Sequence, residues 1–404
     1  MDLPSQRPIL LDGACGTNLM QAGAPKDACL EYWATKHPQV VQDLLQAYVQ
    51  AGSQIVYTPT FGANRVRLAE HGFQDLMEDI NYQLAHMAKQ AVGDRALVAG
   101  DIGPVGKPCA PFGELSFWDL IGIYAEQALA LRDGGADLLV CETMMSLEEL
   151  RAAILGARQA KLPILASMTI GQDGQTPFGS DPLACMVSVQ DLGVVAFGLN
   201  CSDPAAVAEQ LERLAPYASV PLIAKPNAGQ PGAYRTPEEL SAFVPAFAKG
   251  GARIFGGCCG SGPDHVTAIR QAMETVDFSA FPAVERDPDV IPCASEKEAR
   301  FITPDVDVGE TIECTPDLME DILAAEEEAP QGALKIAILE EDDLDIFAEN
   351  QYVVKDALCL WSDVPELLEK ALRIYQGRAF WDGTGDLEED FLRDMAKKYG
   401  LVLL

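Results

Sequence analysis

The sequence predicts an α/β chain: a (β/α)8 barrel of the TIM type followed by a small α/β C-terminal domain. Three observations predict it. Eight short apolar runs alternate with longer amphipathic ones over roughly the first 280 residues, close to the size of about 250 residues usual for that barrel. The runs are nearly unbroken in apolar character, as strands buried on both faces should be. Near residue 282 the pattern stops, and proline and acidic residues accumulate.

Taken in order, the strand candidates are "PILLDG" (8–13), "QIVYTPT" (54–60), "ALVAGDIGP" (96–104), "ADLLVCET" (136–143), "PILASMT" (163–169), "VVAFGLNC" (194–201), "VPLIAKPN" (220–227) and "ARIFGGCC" (252–259). Between them lie helical patterns, among them 39–52, 119–135, 205–215 and 237–251, several ending on glycine as helix C-termini prefer. Eight repeats of this regularity favour a closed barrel over an open doubly wound sheet. The predicted organisation is a barrel over 1–283, a proline-rich charged linker over 284–300 and a small acidic α/β domain over 301–404. In that last domain "GALKIAILE" and "DALCLWS" read as strands, and "PELLEKALRIY" and "LEEDFLRDMAKKYG" as helices.

The chain of 404 residues is 48% hydrophobic and carries a formal net charge of −32. Residues 285–404 hold net −20 of it. This excess of acid argues against nucleic acid as a partner, because phosphate binding needs clustered Lys and Arg. No apolar run of about 18 residues is present to span a bilayer, and the N-terminus lacks the pattern of a secretory signal. A cytoplasmic protein is expected. Eleven cysteines, an odd number, argue against a disulfide framework.

In a barrel of this type, functional residues lie at the C-terminal ends of the strands. Those ends carry Asp12, Thr58, Thr60, Asp101, Glu142, Thr143, Thr169, Asn200, Cys201, Asn227, Cys258 and Cys259. Cys201 ends the sixth strand and the Cys258–Cys259 pair ends the eighth, so three thiols converge across the barrel mouth. Three cysteines with a fourth position open point to a catalytic zinc, with core packing or a phosphate loop as the plainer alternatives. Adjacent cysteines can ligate one metal only over a bent backbone, which Gly256, Gly257 and Gly260 permit. Cys141 and Cys15 are read as structural. The four histidines, His37, His71, His86 and His265, are scattered.

The same residues carry a resemblance. "LLDGACGTNLM", "TFGANRVRLAEHG", "GDIGPVGKP", "CETMMSLEE", "GLNCS", "KPNAG" and "GGCCGSGPDHV" run in order along the first 280 residues. The chain resembles the zinc-dependent homocysteine S-methyltransferases, and in particular the homocysteine-binding barrel of the cobalamin-dependent methionine synthases. The resemblance implies that Cys201, Cys258 and Cys259 hold zinc and serve catalysis. It also implies that Asp12 and Glu142 orient the homocysteine amino group, and that the segment Gly13, Ala14, Cys15 and Gly16 accommodates the carboxylate. Asn200 and Asn227 would line the site. The reaction implied is methyl transfer to the homocysteine thiol, giving methionine.

The methyl donor expected from this branch is a methylcobalamin, here carried by a separate corrinoid protein, because no Asp-x-His-x-x-Gly cobalamin motif follows the barrel. The tail resembles a truncated pterin-binding barrel and is expected to act as a cap or docking surface. Alternatives are a small-molecule donor (S-methylmethionine, betaine or free methylcobalamin), a non-catalytic zinc scaffold, and a phosphate-binding barrel enzyme using Lys225.

Overall fold

The computed structural model describes residues 7–109, 113–230, 232–281, 287–328 and 332–404. The chain divides into two units: Met1–Phe178 with Val194–Val284, and Gly179–Gly193 with Glu285–Leu404.

The first unit is the barrel. Its strands are β1 (Ile9–Leu10), β2 (Ile55–Tyr57), β3 (Leu97–Ile102), β4 (Leu138–Met144), β5 (Ile164–Met168), β6 (Val194–Asn200), β7 (Leu222–Lys225) and β8 (Ala252–Phe255). They pair in the order β1-β8-β7-β6-β5-β4-β3-β2, every pair parallel. At the seam between β1 and β2, Gln54 N donates to Leu10 O at 2.8 Å, and the Gln54 side chain accepts from Leu10 N at 3.0 Å. One layer of apolar side chains fills the interior, among them Leu11, Tyr57, Ala99, Val140, Leu165, Ala196, Ile223 and Ile254.

The outer helices follow their sequence signals. In the helix Pro38–Ala51, Val41, Leu45 and Tyr48 are buried at helical spacing, and Gly52 ends it at φ 112°. Ser116 and Asp119 form a reciprocal capping box that starts the helix Phe117–Asp133. The helix expected over 237–251 is instead two, Pro237–Ser241 and Val244–Lys249. Pro245 causes the break: it has no N–H to donate, and in a continuous helix its ring would clash with the carbonyl of Ser241.

The second unit holds a hairpin of β9 (Ile291–Ala294) and β10 (Ala299–Ile302). It also holds a five-stranded parallel sheet of β11 (Val308–Glu313), β12 (Ala333–Ala337), β13 (Ala357–Trp361), β14 (Phe380–Trp381) and β15 (Val402–Leu403). The strands stand in chain order, with no reversal. The segment expected as a linker, 284–300, therefore carries structure from residue 291 onward. Cys293 is fully buried and packs with Ile302, Ala333, Ala357, Cys359 and Phe380. Pro292 hid the strand, since proline is tolerated in edge strands but rarely signals them.

The helix Pro182–Val189 belongs to the second unit although it lies between β5 and β6 in sequence. Every one of its residues is buried. Asp181 caps it, and Asp181 N donates to Lys297 O at 2.9 Å. All eleven cysteines are free thiols. No helix among the described residues is long and apolar enough to cross a membrane.

Candidate metal and substrate site

Strand alternation builds the site. Ala99, Val140, Leu165 and Ile223 point into the barrel, so two residues further on Asp101, Glu142, Ser167 and Lys225 take the same face. These four form, with Asn200, a polar layer above the apolar one. All five are buried. Cys141, one residue out of phase with Glu142, lies outside that interior layer, fully buried.

The three predicted thiols meet. The Sγ atoms of Cys201, Cys258 and Cys259 all lie within 4.8 Å of one another, and Cys201 Sγ stands 3.6 Å from Cys259 Sγ. Tetrahedral zinc with bonds of about 2.3 Å sets sulfurs about 3.8 Å apart, so the Cys201–Cys259 spacing matches zinc and the third sulfur lies close enough to join them. Cys258 is buried, Cys201 half-buried and Cys259 exposed, leaving one side open for a further ligand. Hydrogen bonds from Cys201 and Cys258 hold the Cys259 thiol down, to about 3, while contacts with Cys258 and Cys259 push Cys201 up. A thiolate is the form that binds metal, so a metal on these sulfurs would take them deprotonated.

The glycines around the pair have specific reasons. A Cβ on Gly256 would stand 2.9 Å from Asp12 O, and one on Gly257 would stand 2.5 Å from Ser261 Oγ. Gly257 N donates to Asp12 O at 3.0 Å, and Cys258 N donates to Pro226 O at 2.7 Å. The loop after β8 therefore continues the ladder on both sides while bringing both thiols to Cys201.

Beside the thiols lies a charge cluster. Lys225 Nζ, 3% exposed, stands 3.6 Å from Asp12 Oδ1 and 3.8 Å from Glu142 Oε2. It also sits 4.6 Å from the centroid of the Tyr57 ring. These carboxylate distances exceed a hydrogen bond. Asp12 Oδ2 accepts from Tyr57 N at 2.7 Å, but Asp12 Oδ1 and Asp101 Oδ1 have no hydrogen-bond partner. Burial pushes Asp12 up to about 6, against the pull of Lys225 and the Tyr57 N–H. Burial likewise pushes Glu142 up to about 8, and pushes Asp101 well above the usual carboxylate range with help from Glu142. Burial opposes the charge on Lys225, yet Glu142 and Asp12 outweigh it and hold the ammonium well above its ordinary range. Three carboxyls thus face the Lys225 ammonium, and Asp12 Oδ1 and Asp101 Oδ1 can each accept an N–H donor.

The segment Gly13–Gly16 is braced against the thiol loop. Tyr48 Oη and Asn18 Nδ2 both donate to Ala14 O at 2.7 Å, and Ala14 N donates to Ser261. Ser261 Oγ donates to Cys258 O at 2.7 Å. A Cβ on Gly13 would meet Tyr48 Oη at 2.8 Å, so glycine is needed for packing there, whereas Gly16 begins a short helix with ordinary room around it. Cys15 is half-buried, and burial beside Asp12 raises its thiol. Asn227 is half-buried with Oδ1 lacking a partner, and its N donates to Ser202 O. Sequence reasoning listed Asp101 among the strand-end residues and named Lys225 only for the alternative of a phosphate-binding barrel, assigning neither to the amine pocket. Counting by two from Ala99 and Ile223 is the signal that finds them.

A family model described as homocysteine S-methyltransferase matches residues 9–273. The methionine synthase of Mycobacterium leprae (strain TN) is 32% identical over 309 residues, covering 70% of this chain and 26% of that protein. That of Mycobacterium tuberculosis (strain ATCC 25618 / H37Rv) is 32% identical over 303 residues, covering 68% and 25%. The chain thus spans about a quarter of the length of these relatives. Among solved structures, the homocysteine methyltransferase MmuM from Escherichia coli, in its metallated form, shares the fold. The TM-score is 0.59 at 24% identity, over 66% of this chain and 96% of that one.

Proposed function

This chain belongs to the homocysteine S-methyltransferase family, and on that premise we propose that it methylates the thiol of homocysteine to give methionine, with zinc held by Cys201, Cys258 and Cys259. The observation that carries the reading is the adjacency of two complementary half-sites in one barrel mouth. One is a convergent trio of thiols; the other is a buried surplus of carboxyls with unmet acceptors. Homocysteine has one thiol and one ammonium, and matches both.

Zinc on these sulfurs would keep a coordinated thiol deprotonated near neutral pH. The chain's own residues supply the rest. Asp12 and Glu142 receive the ammonium through charge-assisted hydrogen bonds, and Lys225 offsets their mutual repulsion. The packed Gly13–Ala14 segment and the Cys258–Ser261 turn hold the two half-sites at a fixed separation. The sulfur then attacks the methyl carbon in line. A carbon–sulfur bond forms, the bond from donor to methyl breaks with its electron pair left on the donor, and the thiol proton passes to solvent. This reaction needs no side-chain general base.

For the donor we propose a methyl-corrinoid presented by a partner, a reading supported by the "TFGANR", "GPVGK" and "KPNAG" segments. The chain-order strands of the second unit support reading it as a fragment of a pterin-type barrel. The test combines metal analysis with a methyl-transfer assay against homocysteine and a panel of donors. One zinc per chain and turnover with a methylated corrinoid protein are expected. Cys258→Ser should lose the zinc and at least about 100-fold of the activity. Protein that holds no stoichiometric zinc under reducing conditions, or a Cys201→Ala variant with full turnover, overturns the zinc reading. Turnover only with S-methylmethionine, betaine or free methylcobalamin overturns the donor.

A further inference from the structure

We propose that Asn200 is the positioning residue that joins the two half-sites, by holding the strand end at Thr143 in a left-handed conformation it would not otherwise keep, while reaching a carboxylate of one half-site and a sulfur of the other. The proposal rests on the functional reading above for the ligands it joins. Among the described residues, the non-glycine residues with positive φ are Thr143 at 60°, Lys161 at 56° and Cys201 at 52°. Lys161 closes a helical turn, an ordinary place for that conformation. The other two both attach to Asn200. Cys201 is its chain neighbour and a proposed zinc ligand. Thr143 follows Glu142, a proposed ammonium acceptor.

A β-branched residue at positive φ is a marked outlier, and such a conformation costs of the order of 1–3 kcal/mol unless its surroundings enforce it. The Asn200 side chain supplies that enforcement. Its Oδ1 accepts from Thr143 N at 2.9 Å and from Ser167 Oγ at 3.0 Å. Its Nδ2 donates to Thr143 Oγ1 at 2.6 Å, and reaches Glu142 Oε2 at 3.3 Å and Cys258 Sγ at 3.9 Å. One fully buried amide thus clamps Thr143 from both its backbone and its hydroxyl. The same amide touches a carboxylate of the amine pocket and a sulfur of the metal site. Cys201 is anchored on its other side by donation of its N to Lys225 O at 3.2 Å. The strain is located where the direction of Glu142 and of the Cys201 thiol must be set.

The experiment measures, on zinc-loaded protein, the zinc affinity by competition with a chelator and the KM and kcat for homocysteine. Asn200→Ala should weaken zinc at least tenfold, the range typical for residues behind metal ligands, and raise KM at least tenfold. Two variants at the clamped position separate clamping from packing. Thr143→Ala loses the hydroxyl anchor but keeps the penalty at positive φ, whereas Thr143→Gly loses the anchor and the penalty together. Thr143→Ala should therefore raise KM more than Thr143→Gly does, with zinc affinity within twofold of wild type in both. Adding Thr143→Gly to Asn200→Ala should recover part of the KM and none of the zinc affinity. An Asn200→Ala protein that binds zinc and homocysteine like wild type overturns the proposal, as does a Thr143→Gly protein with the higher KM of the pair. If Asn200→Ala does not fold, the order of the two Thr143 variants decides. Wild-type protein that neither binds zinc nor turns over homocysteine overturns the functional reading instead.

Discussion

Lys225 shows how a single buried residue sets the electrostatics of a pocket. Among the described residues it is the ammonium that faces Asp12, Asp101 and Glu142, and its removal strands those carboxyls in a low-dielectric layer. Lys225→Met should lower stability by about 3 kcal/mol at pH 8, the scale for breaking a buried ion pair, and by less at pH 5.5, where the carboxyls take up protons. Urea unfolding of metal-free protein at the two pH values measures this. The sign for the carboxyls follows from the direction of their shifts. Glu142 rises from 4.5 to about 8 on folding, so the folded state favours its protonated form. Its stabilising contribution is complete below about pH 4.5 and is lost as pH rises through about 8. Metal-free wild-type protein should thus lose stability as pH rises from about 4.5 to about 8, and Glu142→Gln should flatten that slope. An unchanged slope in Glu142→Gln would place the titration elsewhere.

At the scale of elements, the loop after β8 is where local sequence and tertiary packing agree most closely. Gly260 has φ +80°, and a Cβ there would stand 2.3 Å from the Tyr234 ring. Gly260→Ala is therefore penalised by both backbone and packing, and should cost about 1–3 kcal/mol. Gly23 has φ +108° with nothing within 4 Å. Gly23→Ala carries only the backbone part, and comparison of the two by chemical denaturation isolates the contact with Tyr234. The eight barrel strands were legible as apolar runs, each offset by only a few residues from where it forms. The reason is that interior strands of a parallel barrel must be apolar on both faces. The hairpin at 291–302 was not legible, because its composition is that of a linker and its burial depends on strands more than 30 residues further along.

For the whole molecule, the sequence reads as a barrel followed by a tail, yet the chain crosses between the two units more than once. The helix Pro182–Val189 sits between two barrel strands in sequence and packs within the C-terminal unit. A chain ended after Phe281 strips that all-buried helix of its partners, including the hairpin β9–β10. Such a chain should bind a hydrophobic dye and aggregate, and the full chain should not; a soluble, dye-negative, zinc-binding fragment would show that the helix finds other cover. By itself the sequence determined the barrel, the polar residues at its strand ends and the convergence of the three thiols, because alternation and strand-end position are local properties of the chain. It placed Asp12 and Glu142 at the same mouth for the same reason. Only the tertiary structure decided that Lys225 and Asp101 complete the charge cluster, that Asn200 grips Thr143, and that an internal helix belongs with the tail. Those depend on which side chains meet across strands far apart in sequence, and on how burial redistributes charge once they meet.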